Sequence, residues 1–206
     1  MKNLGKKSIA KILSAMIQIV WWMEWIGAIA ITAGLLIMPF FKKNTSFTTP
    51  VTFSAFTIKM VAANETTLQA GRLNATGGNF SFLVPTGLIS SLIMILIVVA
   101  AFSFFIAATY QLRLIFSSFA KNEPFVEFNT SRIRNLGIIL IVYAFAHLIY
   151  HIALNEYLTN HFKWASDIRL TYSFNLGALL TGITLIVIAE VFKLGTSLNN
   201  EQKLTI

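Results

Sequence analysis

The sequence predicts an all-α membrane protein: a four-transmembrane-helix bundle with a small extracytoplasmic antiparallel β-sheet in its first outer loop. Three observations lead there. The 206-residue chain is 56% hydrophobic and only 12% charged, with a mean hydropathy of +0.71, whereas a soluble domain carries about a quarter charged residues. The charges are nearly absent from four long apolar stretches and gather between them, which is the pattern of membrane spans. Between the first two stretches, a segment rich in Thr and Phe alternates apolar and polar residues at the period of a strand. The length accommodates a single membrane domain, 1–206, and no separate soluble one.

The first span covers about 12–41. A helix of that length measures roughly 40 Å against a hydrocarbon core of about 30 Å, so it must tilt or protrude. Lys2, Lys6, Lys7 and Lys11 precede it, as in a secretory leader, and Ala28-Ile29-Ala30 could mimic a cleavage site. The apolar run nevertheless continues through Leu35, Leu36, Ile37 and Met38, beyond the roughly 7–15 residues of a leader's apolar core. A retained helix is expected.

The outer loop 42–87 carries the strand signals. Val51, Phe53 and Ala55 alternate with Thr52 and Ser54, and then Phe56, Ile58 and Met60 alternate in the opposite phase. Such a phase change indicates a β-bulge. Phe80, Phe82 and Val84 alternate again after Gly77-Gly78-Asn79, a turn signal. The resulting sheet is expected at the outer end of the bundle, either as a cap lying on the membrane or as a partner-binding surface.

The second span covers about 88–112 and closes at Arg113; an inner loop, 113–130, leads to the third span at about 131–154. The outer loop 155–173 holds Tyr157, Trp164 and Tyr172, whose amphipathic rings suit the headgroup level. The fourth span covers about 174–193, followed by a tail, 194–206. Four spans put both termini on one side. With the N-terminus inside, the inner segments hold Lys2, Lys6, Lys7, Lys11, Arg113, Lys121, Arg132, Arg134, Lys193 and Lys203, and the outer loops hold only Lys42, Lys43, Lys59, Arg72, Lys163 and Arg169. The excess of basic residues near the inner span ends favours both termini in the cytoplasm.

The same distribution explains the net charge of +8 as topological. No basic helix or aromatic-basic platform stands clear of the membrane, so direct nucleic-acid binding is not expected. The absence of cysteine excludes disulfides, thiolate metal sites and thiol redox chemistry.

Two polar constellations remain. Glu24 lies about 20 Å along the first helix from Lys11. An unpaired charged carboxylate at such depth costs on the order of 2.5–3.5 kcal/mol, so Glu24 should face the bundle interior, find a partner or stay protonated. On the third span His147 and His151, spaced i, i+4 on one face, lie about 15 and 21 Å from Gly137. Ser103 and Thr181 reach comparable depth. A cluster of Glu24, Ser103, His147, His151 and Thr181 can act as interhelical hydrogen-bonding glue, as a ligand cavity or proton relay, or as a metal site. His-x-x-x-His without a Glu after the first His lacks the base of the zinc-protease motif, so no metal is assigned. At the inner end, Glu190 lies at the depth of Arg113, Arg132 and Arg134. Pairing with one of these three would lock the bundle, since arginine offers a planar fork to a carboxylate.

The inner connection reads Lys121-Asn122-Glu123-Pro124-Phe125, then Asn129, then Arg132-Ile133-Arg134-Asn135-Leu136-Gly137. The C-terminal segment reads Ala189-Glu190-Val191-Phe192-Lys193-Leu194-Gly195-Thr196-Ser197-Leu198, ending Leu204-Thr205-Ile206. Together they resemble the DUF2975 family of small bacterial membrane proteins of unknown function, whose members show a G-x-P-F…N…R-x-R-x-x-G connection and an A-E-V-F…G…L…L-T-V tail. The motif positions here are Pro124, Phe125, Asn129, Gly137, Phe192 and Gly195, with Asn122 where the family has glycine. Pro124 would end any continuation of the second helix, and Asn129 would cap the third. The resemblance implies four spans in a bacterial cytoplasmic (inner) membrane and, from the family's gene neighbourhoods, a regulatory role beside small helix-turn-helix proteins. It supplies no reaction, cofactor or catalytic residue.

The expected function is therefore that of a non-enzymatic membrane sensor or regulatory partner, acting with the lipid bilayer and either a small DNA-binding regulator or a second copy of itself. A small proton-coupled transporter or export-linked protein built on the Glu/His cluster is the alternative. No nucleophile–base pair, phosphate loop or metal signature points to an enzyme.

Overall fold

The computed structural model describes residues 4–41, 44–61, 70–121, 125–162 and 170–204. The elements run α1 (Leu4–Phe41), β1 (Asn44–Val61), β2 (Ala70–Pro85), α2 (Leu88–Ala120), α3 (Glu127–His161), β3 (Leu170–Thr171) and α4 (Leu176–Leu204). Each helix contains a stretch long and apolar enough to cross a membrane: Ile9–Phe41, Leu88–Ala120, Glu127–His161 and Leu176–Leu198. Large apolar side chains such as Met23, Ile26, Ile89, Leu96, Ile149 and Val191 stay exposed along them. In water that surface would be untenable; against acyl chains it is the ordinary outer face of a span. The protein is a mostly helical, multi-pass membrane protein.

The helices outrun the lengths expected from hydropathy because polar residues at their ends continue the hydrogen-bond ladder. α2 starts at Gly87, whose N–H donates to Ser90 Oγ at 2.9 Å. Its last turn closes where the Lys121 N–H donates to the carbonyls of Ser117 and Ser118. Asn129, expected ahead of α3 as its cap, lies inside the first turn, and its N–H donates to the Val126 carbonyl at 2.9 Å.

The chain divides into two compact units. One contains α1, α2, α3 up to Ala144, and α4. There Ile115 of α2, Ile133 of α3 and Ala189 of α4 form a buried node with Phe119, Leu185 and Phe192. α3 and α4 meet at two glycines: a Cβ added to Gly137 would lie 2.7 Å from the Gly182 carbonyl oxygen, and one added to Gly182 would lie 2.7 Å from the Gly137 oxygen. Only backbone fits between the helices at that point.

The other unit contains the sheet and the remainder of α3. Its three antiparallel strands are ordered β2-β1-β3. The register of β1 on β2 shifts between Thr52 and Phe56, where the sequence changes its alternating phase. β3 pairs with Thr52 and Phe53 at that irregularity, a third strand that its two-residue length left without a sequence signal. The Gly77-Gly78-Asn79 turn expected from sequence does not form. These residues lie within β2, facing Thr52, Val51 and Pro50. A Cβ at Gly77 would stand 3.1 Å from the Val51 carbonyl, so that glycine serves close strand approach rather than chain reversal. Val51, Phe82 and Leu158 form the core of this unit, with Phe47, Phe80, Val84, Leu154, Phe162 and Leu170 around it.

Candidate functional site

α1 and α2 meet through polar contacts set one turn apart. Thr109 Oγ1 donates to Glu24 Oε1 at 2.7 Å. One turn along, the Arg113 guanidinium stacks over the Trp21 ring, 4.7 Å from its centroid. Trp21 and Glu24 are spaced i, i+3 on α1, and Thr109 and Arg113 are spaced i, i+4 on α2, so both pairs share one seam. Glu24 Oε2 and Trp21 Nε1 are buried in this seam without a hydrogen-bond partner among the described residues. Next to them opens an apolar groove of about 740 Å3, with Trp21, Trp25, Thr32, Phe102, Ser103 and Tyr110 among its walls.

A second constellation joins the C-terminal end of α2, the start of α3 and α4. Arg132 Nη1 donates to the Leu114 carbonyl at 3.1 Å, to Ser118 Oγ at 2.9 Å and to Asn129 Oδ1 at 2.9 Å. Ser118 Oγ also donates to Asn129 Oδ1, at 3.1 Å. Asn129 is fully buried, and its amide oxygen is where helix α2 is tied to α3. Of the three arginines considered for Glu190, Arg134 makes the ion pair, through Nη2 and Oε1. Lys193 Nζ stands 3.9 Å from Glu190 Oε2. Arg113 and Arg132 are occupied as described.

The family-motif residues converge here. Phe125 packs on Phe192 with ring centroids 5.8 Å apart, and its edge lies 3.5 Å from where a Gly195 Cβ would stand. Gly137 lies one turn from Arg134 and makes the close contact with Gly182. The two sequence motifs thus meet face to face, one on the α2–α3 connection and the start of α3, the other on α4. Pro124 lies outside the described residues, as does Trp164.

The remaining residues of the expected intramembrane cluster are placed as follows. The Ser103 hydroxyl donates to the Ala100 carbonyl of its own helix at 2.7 Å, and Thr181 is exposed on α4. His147 and His151 stack with ring centroids 4.5 Å apart, and Tyr150 meets His151 edge-on at 5.7 Å. Both histidines lie in the part of α3 that belongs to the unit with the sheet. Among the described residues no three His, Asp or Glu gather as metal ligands.

Sequence reasoning missed Thr109. It counted depth from Lys11, yet Arg113 is level with Trp21, ten residues further along α1. Counting from Arg113 instead puts Thr109 one turn inward, at the level of Glu24. The signal was present; the lysine was the wrong origin, because Lys11 lies within the stretch Ile9–Phe41 rather than ahead of it.

No curated protein and no solved structure matches the sequence. A family model described as Protein of unknown function (DUF2975) matches residues 63–206. That match takes in β2, all of α2, α3 and α4 and both motifs, and on it the chain belongs to the DUF2975 family.

Proposed function

We propose that the protein is a non-catalytic membrane sensor that works as the partner of a small DNA-binding regulator. It would lie in a bacterial cytoplasmic membrane with both termini and the α2–α3 connection in the cytoplasm, and with the sheet outside. The basic residues crowd the ends of the helices that carry Arg113, Arg132, Arg134 and Lys193, which supports that orientation.

The observation that carries the reading is the physical continuity from the groove to the α2–α3 connection. Trp21 lines the groove and bears on Arg113. The next residue, Leu114, gives its carbonyl to Arg132, which holds Asn129 and Ser118. An apolar occupant that displaces Trp21 therefore acts on the contact that ties α2 to the first turns of α3. Differential affinity of the occupant for two packings of α1 on α2 is the required source of energy.

The test uses the full chain, tagged and purified from native membranes, as wild type and as Ala107→Phe, which puts a ring into the groove that Ala107 also lines. A small DNA-binding protein should co-purify, its retention should change in the filled variant, and its target transcription should respond to deletion of this gene. Failure to recover such a protein, together with unaltered transcription after deletion, overturns the reading. Transport is the second reading, favoured by the buried, unpartnered Glu24 Oε2. Proton flux in liposomes that Glu24→Gln abolishes would replace the first reading with the second.

A further inference from the structure

The ends of α3 and α4 enclose a cavity of about 400 Å3 that the sensor reading does not use. Its walls are Glu127, Thr130, Ser131 and Arg134 from the first two turns of α3, and Lys193, Thr196 and Ser197 from α4. Thr130 is only 7% exposed, and its Oγ1 is buried with no hydrogen-bond partner among the described residues. A buried hydroxyl left without a partner is the exception in a folded protein and calls for a ligand or an ordered polar group beside it. The cavity also abuts the N-terminal end of α3, where the helix dipole favours an anion.

Charge narrows the ligand. Arg134 and Lys193 supply two cations, while Glu127 in the wall and Glu190 behind it supply two carboxylates. Arg134 gives one N–H to Glu190 and has other guanidinium donors to offer. Thr196 donates to the Phe192 carbonyl at 2.9 Å, and its oxygen retains acceptor capacity. With Glu190 counted, the two signs balance around the cavity, which suits a ligand that carries both.

Depth narrows it further. The cavity lies at the outermost turns of two membrane-crossing helices, at the start of the stretch Glu127–His161 and the end of Leu176–Leu198. Leu194, Leu198 and Phe128 are exposed beside it and offer an apolar path for acyl chains. We propose that this cavity binds a phospholipid headgroup bearing both a phosphate and a primary ammonium. The phosphate is held by Lys193, Arg134 and the Thr130 and Ser197 hydroxyls. The ammonium is held by Glu127, which needs N–H donors that a choline group lacks.

The full chain, purified in a detergent free of phospholipid, tests this by native mass spectrometry. The probes are phosphatidylethanolamine, phosphatidylcholine and phosphatidylglycerol of one acyl composition, with free phosphoethanolamine and inorganic phosphate alongside. One equivalent of phosphatidylethanolamine should bind about tenfold more tightly than the other two lipids, the preference expected for one charge-assisted hydrogen bond. Glu127→Gln should remove most of that preference, and Thr130→Val and Lys193→Gln should each weaken binding of all three lipids, while the lipid-free melting profile is kept. Should Thr130→Val fail to fold, the exposed pair Lys193→Gln and Ser197→Ala carries the test. Equal binding of the three lipids, a preference unmoved in Glu127→Gln, or an affinity unmoved in the phosphate-side variants overturns the proposal. Free phosphoethanolamine or phosphate bound as tightly as the lipid also overturns it, by assigning the cavity to a soluble ligand.

Discussion

Among the described residues Glu24 accepts a single hydrogen bond, from Thr109, where an ionised carboxylate can accept four. Thr109→Val keeps the shape of the side chain and removes that donor. Interhelical hydrogen bonds in membranes contribute about 0.6 kcal/mol on average and up to about 1.7. Thr109→Val should therefore lower the melting temperature in detergent by about 2–4 °C. Glu24→Gln keeps an oxygen for Thr109 and should cost less. A melting curve that falls further for Glu24→Gln than for Thr109→Val would show that charge, not this hydrogen bond, holds the seam. The need of Glu24 for a partner was legible from its depth alone. The partner was not, because register between two helices depends on where each one starts, and the polar run before Ile9 gives no sign that α1 is already helical at Leu4.

At the scale of elements, the contact between α3 and α4 is set by mass that is missing. Gly137 and Gly182 present backbone to each other, and each Cβ would collide with a carbonyl oxygen that cannot swing away. Gly137→Ala must push the helices apart, at a cost of about 1–3 kcal/mol by the standard of overpacked cores. Gly182→Ala should cost about as much. Because one separation relieves both clashes, the double variant should cost clearly less than the two singles together, which a double-mutant cycle in detergent would measure. Gly34→Ala, where no atom lies within 4 Å, serves as the neutral control. Full additivity would sink the shared contact. The motif around Gly137 was visible in the sequence, and so was the pairing of Glu190 with an arginine. Which arginine it would be was not, since three of them lay at one depth and only packing distinguishes them. The sheet shows the same division. The phase change near Phe56 was readable, because side-chain alternation is a local property of a strand. The fate of Gly77 was not, because a glycine allows a turn and a close strand contact equally well.

At the scale of the whole molecule, composition was the strongest signal, and it sufficed for the four spans. Hydropathy says where the chain enters the bilayer, since unpaired backbone is excluded there and only helices or closed barrels satisfy it. Orientation rests on a different quantity, the placement of lysine and arginine, and can be checked separately. A reporter active only in the cytoplasm should work when fused to either terminus, and an alkaline phosphatase fused there should stay silent. Phosphatase activity at a terminus would reverse the molecule in its membrane without disturbing any contact described above.

The stacking of Arg113 on Trp21 also furnishes an optical handle. The chain has four tryptophans; Trp21 and Trp25 line the groove, and Trp22 faces outward with 54% of its surface exposed. Emission from a protein carrying Trp164→Phe therefore mixes two indoles that sense the groove with one that senses the surrounding acyl chains. Brominated lipid tails would quench the latter first, leaving a fluorescence signal that follows occupancy of the groove with no dye attached.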